Sequence, residues 1–437
     1  MSISPIVVRP FETAAERDEF YLLASQAFNA DVPETERAQQ IARRRQRVEG
    51  QPGYDPTNLR GAFRGSTFLG GYRIQERQLQ VGMARLLTCC IGAVVTHPEQ
   101  RLQGAASALM QDAIVTARSR GYALLLLDGI AHFYHRFGYT DVFDLTDHTI
   151  SRALVLAQPP SPVSVRDATL EDAPALLELY QRHYGPYTGS FARTLAQQRY
   201  QLNAWLTLGW SMLLALDADK QSCGYLLASG APDQHNTLEV AAENWPAALA
   251  LLQAHAHLLD GLPEPPAELC WRLPPDAPTL ALLADHLSVQ DTSAWDVPVF
   301  GWSVRSQTYQ HPDAGWMARV ASLPSLAQAM LPEWQARGRR SAGGWTGALK
   351  LVIESEASTE MCALELGRDG IRLLEQSPED AQLVRLSQQV LTRLVFGYRP
   401  VSWAVAQPNQ SIPLELLPLL DALFPPGHAC IAGSDDF

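Results

Sequence analysis

The chain has 437 residues, 46% of them hydrophobic and 18% charged, with a formal net charge of −12. That balance is globular rather than disordered, and the length predicts two to four domains instead of one core. The acidic excess argues against nucleic acid as a partner, since phosphate contacts draw on clustered Lys and Arg, and no apolar run approaches the roughly 20 residues that span a bilayer.

The first residues, MSISPIVVRPF, lack a charged segment followed by an apolar one, which predicts a cytoplasmic protein. Val7-Val8-Arg9-Pro10 opens a strand, and Ala14 to Phe28 reads as an amphipathic helix with Phe20, Leu23, Ala24 and Phe28 inward. From Glu34 to Pro56 the chain is rich in arginine (Arg37, Arg43, Arg44, Arg45, Arg47), as a solvated helix face or a lid would be. The six cysteines (Cys89, Cys90, Cys223, Cys270, Cys362, Cys430) show no C-x-x-C spacing and read as small core residues. His255 and His257 have no third ligand near them in sequence, so no metal is expected.

The most informative stretch runs from Ile91 to Tyr139. Ile91 to Val95 is a strand, Pro98 interrupts it, and Arg101-Leu-Gln-Gly104-Ala-Ala106 follows. Ala106, Leu109, Met110, Ala113 and Ala117 then keep helical spacing as far as Gly121, a C-cap, before a buried strand at Leu124 to Leu127. A strand that feeds a turn at a helix N-terminus presents unpaired N–H groups and a positive dipole end, which suits a pyrophosphate. Gly104 permits close approach of a ligand, and Arg101 adds a positive charge.

Near Pro159-Pro160-Ser161-Pro162 the composition breaks as a linker does. After it, Val163 to Asp172 and a helix over Ala175 to Tyr180 echo the chain start, which predicts a divergent second copy of the first fold. In that copy the strand Leu238-Glu-Val240 leads to Ala241-Ala-Glu243-Asn-Trp-Pro246 and a helix over Ala247 to Leu258. With a carboxylate and a proline where phosphates would sit, this turn is not expected to hold a pyrophosphate in the same way. From Trp302 the pattern changes to a strand and helix over Trp316 to Leu331, then strands at Leu349–Ile353, Cys362–Leu366 and Ile371–Leu374. Helices near Leu386 to Phe396 and Leu414 to Phe424 complete an α+β pattern.

R-x-x-G-x-A after a strand, with FYHRFGY some thirty residues later, resembles the GNAT superfamily of acetyl-CoA-dependent N-acetyltransferases. The three-part layout, ending in LLDALFPPGH and DDF, is similar over essentially the whole chain to the enhanced intracellular survival (Eis) type. The resemblance implies an α/β (α+β) chain of tandem GNAT domains, each a mixed central sheet flanked by helices, and a sterol-carrier-protein-like α+β domain. The boundaries expected are 1–157 for the catalytic GNAT domain, 163–301 for the degenerate one and 302–437 for the last.

The same resemblance implies an N-acetyltransferase that uses acetyl-CoA as co-substrate, with a polyamine, lysine or aminoglycoside-like amine as acceptor and a homohexameric assembly. Val94, Val95 and Thr96 are expected to meet the acetyl and pantetheine parts. Arg101, Leu102, Gln103, Gly104, Ala105, Ala106 and Ser107 would form the pyrophosphate turn, and Gly129 and Ile130 would flank the pantetheine. Tyr134 matches the family's general acid, since a phenol with a pKa near 10 is protonated at neutral pH. Phe437 matches the terminal aromatic residue whose α-carboxylate is the base; Asp435 and Asp436 read as substrate-attracting charges or as a solvated tail. Phe137 and Tyr139 read as an aromatic core edge, and His132 and His135 as packing residues or alternative bases. The competing expectation is a lipid- or small-molecule-binding protein with a vestigial first domain; an intact Arg101, Gly104 and Tyr134 speak against it.

Overall fold

A computed structural model describes residues 5–28, 34–230, 236–287, 303–311, 314–341, 345–354, 359–367 and 370–435. They fall into two compact units: Met1–Val142 with His311–Gly427, and Phe143–Gln310 with His428–Asp436. The first unit opens with β1 (Val7–Pro10), α1 (Ala14–Phe28), α2 (Glu34–Glu49), β2 (Leu59–Arg64), β3 (Thr67–Val81) and β4 (Ala84–Thr96). Then come α3 (Ala105–Ser119), β5 (Leu124–Gly129) and β6 (Thr140–Asp141). β1 to β4 form an antiparallel meander, and α3 carries the chain back so that β5 pairs with β4 in parallel.

α3 buries Ala105, Leu109, Met110, Ala113 and Ala117 against Tyr72, Ile74 and Leu125 of the sheet, the stripe that helical spacing predicts. Gly121, at φ 74°, ends it: Gly121 N–H donates to Arg118 O at 3.1 Å and Tyr122 N–H to Ala117 O at 3.0 Å. A polar clamp adds to this packing. Arg60 donates twice to Asp112 of α3, at 2.6 and 2.8 Å, and the Tyr72 hydroxyl donates to the same carboxylate at 2.7 Å. On the other face Phe20, Tyr21, Leu23 and Ala24 of α1 pack with Phe11, Phe63 and Phe68. Phe28, expected inward, is instead 56% exposed, in the last residue of α1. The arginine-rich run is helical: α2 turns Ile41 and Val48 toward the α1 core.

In the second unit the elements are β7 (Leu145–Ser151), α4 (Arg152–Leu156), β8 (Ser164–Asp167), α5 (Ala173–His183), α6 (Leu195–Thr207), β9 (Ser211–Leu216) and β10 (Ser222–Ala228). They continue with β11 (Thr237–Ala242), α7 (Trp245–Leu258), β12 (Glu268–Arg272), α8 (Pro278–His286) and β13 (Val304–Tyr309). One sheet has the order β11-β10-β9-β8, the other β12-β7-β13. Inside this unit Arg193, fully buried, donates to Asp435 at 3.1 and 2.8 Å and to the Glu239 carboxylate, and its guanidinium stacks 3.5 Å from the Tyr180 ring centroid. The Tyr180 hydroxyl donates to Asp435 at 3.0 Å, and Cys430 N–H donates to Thr188 O at 2.8 Å, so the segment from His428 is packed into the unit. Asp435 is therefore a buried structural anion, not a solvated charge.

The remainder of the first unit comprises β14 (Gly315–Val320), α9 (Leu323–Ser341), β15 (Gly347–Glu354), β16 (Thr359–Gly367), β17 (Gly370–Leu374), β18 (Gln382–Ser387), α10 (Gln388–Val395), α11 (Val401–Val405) and α12 (Leu417–Leu423). β14 inserts between β5 and β6, completing a seven-stranded sheet of order β1-β2-β3-β4-β5-β14-β6. β15 to β18 form a separate sheet, β17-β16-β15-β18, in which β18 runs parallel to β15. α9 grips the β3–β4 hairpin: Glu333 accepts from Met83 N–H at 2.7 Å and from Arg337 Nε at 2.6 Å. Gly82 leaves room for it, since a Cβ there would lie 2.3 Å from the carboxyl carbon.

Candidate active site

β4 and β5 pair only where Thr88 to Cys90 face Leu124 to Leu126. Beyond that the strands part, while β4 stays paired to β3 as far as Thr96. The cause is a bulge. Gly71 faces Val95 but Arg73 faces Gly92, so β4 carries an extra residue, and Ala93 takes a φ of 52°. Gly70 lets β3 follow the bend, because a Cβ there would sit 2.3 Å from Val95 O. The main chain of Val94, Val95 and Thr96 thus borders a gap that β5 does not fill.

The gap leads to the turn before α3. Arg101, Leu102, Gln103 and Gly104 are all exposed, and Leu102 (φ 62°) and Gly104 (φ 88°) are left-handed. A left-handed leucine costs about 1–2 kcal/mol, and such strain concentrates at functional sites. Gly104 is the N-cap of α3 and offers no side-chain acceptor to the N–H groups of Ala105, Ala106 and Ser107, which face the positive end of the helix dipole. A Cβ at Gly104 would meet nothing nearer than Ile6 Cδ1 at 3.9 Å, so the surface above it is open. Gln103 holds the turn's shape, accepting from Arg64 Nη1 at 2.7 Å and donating to Glu99 O at 3.2 Å. Arg101 has no ion-pair partner among the described residues.

The turn before α7 is closed. Asn244 Oδ1 accepts from Ala247 N–H at 3.0 Å, Pro246 removes a donor, and the Thr279 hydroxyl accepts from Ala242 N–H at 3.1 Å. Glu243 is paired with Arg182.

Tyr134 opens a short 3-10 turn, Tyr134–Phe137, after β5. It is 7% exposed and packs on Gly129, where a Cβ would lie 2.8 Å from Tyr134 Cδ2 and 2.9 Å from Leu127 Cδ1. The Phe133 and Tyr139 rings flank it at 4.8 and 6.1 Å. Its hydroxyl has no hydrogen-bond partner among the described residues. Burial, and next the Asp128 carboxylate, push the phenol up to about 12. Tyr134 shares one apolar cluster with Ile91, Val94 and Ala105, so strand edge, helix start and phenol converge. Ile130 is exposed at the end of β5, and His132 and His135 are exposed as well. Tyr139 is wholly buried, while Arg136 stacks on Phe133 and Phe137 at 4.3 and 4.9 Å. Phe437 lies outside the described residues. Sequence reading missed the bulge at Ala93 and the role of Gly129 as the floor beneath Tyr134; the Gly70-Gly71 doublet in a long strand was the available signal.

The family model for an acetyltransferase (GNAT) domain matches residues 8–142. The N-terminal part of the chain is a GNAT acetyltransferase domain. The fold of the whole chain is shared with solved structures at low identity. A GCN5-related N-acetyltransferase from Kribbella flavida superposes with TM-score 0.72 at 18% identity, covering 100% of this chain and 99% of its own. A probable N-acyltransferase from Enterococcus faecalis gives 0.75 at 15%, covering 99% and 100%. Eis1 from Mycobacterium abscessus gives 0.62 at 17%, again covering 99% and 100%. No curated protein sequence matches significantly. No helix among the described residues is long and apolar enough to cross a membrane. The GNAT domain therefore places its strand gap, open helix N-terminus and buried phenol inside one sheet-and-helix framework.

Proposed function

We propose that the chain is an acetyl-CoA-dependent N-acetyltransferase that moves an acetyl group to a primary amine by direct transfer in a ternary complex. The observation that carries this reading is the parting of β4 from β5 at the Ala93 bulge, continued into the uncapped N-terminus of α3. Unclaimed N–H groups, an open surface over Gly104 and the unpaired Arg101 fit a CoA diphosphate. Gln103 supports that turn through its own side chain, and Ile130 would border the pantetheine arm.

Acetyl-CoA supplies a thioester carbonyl. As an amine nitrogen bonds to the acetyl carbon, the C–S bond breaks, giving an amide and a thiol. Main-chain groups of Val94, Val95 and Thr96 would orient and polarise the carbonyl. Tyr134, held protonated by burial, would give its proton to the departing sulfur. The amine loses one proton to a base, in this reading the α-carboxylate of Phe437, whose reference pKa is about 3.5. The Eis resemblance adds a homohexamer, a sterol-carrier-like module at 302–437 and a non-catalytic copy at 163–301.

Thiol release from acetyl-CoA, measured with polyamines, lysine peptides and aminoglycosides, tests the proposal. Amine-dependent release supports it; binding of acetyl-CoA without release for any amine would leave a vestigial domain.

A further inference from the structure

Arg73, Gln75 and Arg77 share one face of β3, because alternate residues of a strand point to opposite faces. Tyr72 and Ile74, on the other face, lie in the core under α3. The arginines are therefore on the α1 side, where α1 packs on β3 and β4 and α2 packs on α1. α2 brings Arg44 and Arg47 there, one helical turn apart.

These guanidinium groups crowd one another. Burial, then Arg47, Arg44 and Arg77, pull the pKa of Arg73 down to about 10, and Tyr21 partly offsets them. Arg73 is half-buried and makes no hydrogen bond or ion pair among the described residues. Arg44 is half-buried as well, and its contact is the Phe28 ring at 5.4 Å. Arg77 differs, since Gln75 Oε1 accepts from its Nε at 3.1 Å once the amide is oriented to satisfy both groups. The neighbouring carboxylate, Glu49, accepts from the Tyr21 hydroxyl at 3.2 Å. Among the described residues Arg73 and Arg44 have no ion-pair partner, in a chain whose net charge is −12. Desolvated like charges cost stability, and a bound anion would relieve that cost.

The cluster's position gives it a use. Arg73 faces Gly92, the residue before the bulge at Ala93, and Ala93 and Val95 pack in the same α1-side core. We propose that the amine acceptor carries an anionic group, a carboxylate or a phosphate, which Arg73 and Arg44 bind while its amino group faces the Ala93 bulge. This rests on the acetyl-transfer reading above. In the transfer the N–C bond forms and the C–S bond breaks, one proton leaves the nitrogen and one reaches the sulfur, and the anionic group is unchanged. A guanidinium fork suits both anions through paired hydrogen bonds.

The experiment measures thiol release by the full chain, its Arg73→Gln variant and its Arg44→Gln variant. The acceptors are β-alanine, β-alanine methyl ester, O-phosphoethanolamine and putrescine. The proposal expects kcat/KM for β-alanine or O-phosphoethanolamine at least about tenfold above the ester and putrescine, with that preference lost in both variants. Which of the two anionic amines is faster distinguishes carboxylate from phosphate. Equal or faster turnover of the ester or putrescine overturns the proposal and leaves acetyl transfer standing. Arg44→Gln keeps the test decisive should Arg73→Gln fail to fold. If no amine turns over, melting of the CoA-saturated protein with succinate or inorganic phosphate decides. Stabilisation present in wild type and absent in Arg44→Gln supports the anion site by itself; no stabilisation in wild type overturns it.

Discussion

Tyr134 is a phenol whose environment opposes its ionisation. Because burial and Asp128 raise its pKa to about 12, the acid form is retained as pH rises and is lost only near that value. The rate kcat should therefore show no loss of the acid below about pH 10; an alkaline fall-off near the ordinary phenol value would remove Tyr134 from the role. Tyr134→Phe should lower kcat by about 100-fold with CoA affinity unchanged, which turnover and CoA titration together would show. Gly129→Ala tests placement instead of chemistry. The new methyl would lie 2.8 Å from the Tyr134 ring, 2.9 Å from Leu127 Cδ1 and 3.0 Å from Met317 Sδ, so kcat should fall and the melting temperature should drop with it, while the more distant Gly104 turn should still bind CoA. Tyr134 could be picked from sequence because its aromatic neighbours form a recognisable motif. Gly129 is placed beside the pantetheine by the resemblance alone; its packing against the Tyr134 ring leaves no trace in local sequence, and a strand arginine such as Arg73 looks the same whether solvated or crowded.

Among the elements, α3 was legible from its alanine and leucine spacing, its glycine stop at Gly121 and its polar start, all of which are local signals. Its attachment was not. Asp112 lies off the apolar stripe, yet it takes three hydrogen bonds from Arg60 and Tyr72. Removing it leaves a half-buried arginine unpaired, so Asp112→Ala should destabilise the fold by about 2–3 kcal/mol, measurable by denaturant titration. β18 was hidden for a related reason. Its alternation over Gln382 to Ser387 runs directly into α10, with Ser387 as N-cap, so an apolar run starting at Leu386 looked helical throughout. The position of β14 was equally invisible, since its pairing with β5 joins segments that the whole second unit separates in sequence.

For the whole molecule, the chain's last described segment is held in the second unit by charge pairing in a dry setting. Asp435→Ala would leave Arg193 with Glu239 as its acid partner and strip Tyr180 of its acceptor, a loss of about 3 kcal/mol or more that calorimetry would register. Extending the chain beyond Phe437 should impair turnover while leaving the melting temperature unchanged; full activity in an extended chain would exclude a terminal base. All catalytic roles presuppose that the turn at Gly104 holds the diphosphate of CoA. Titration of acetyl-CoA into the wild-type chain and into Gly104→Val tests this most directly. Saturable binding by the wild type, weakened at least about tenfold in the variant, is the predicted result. No binding by the wild type, or equal binding by both chains, would contradict it.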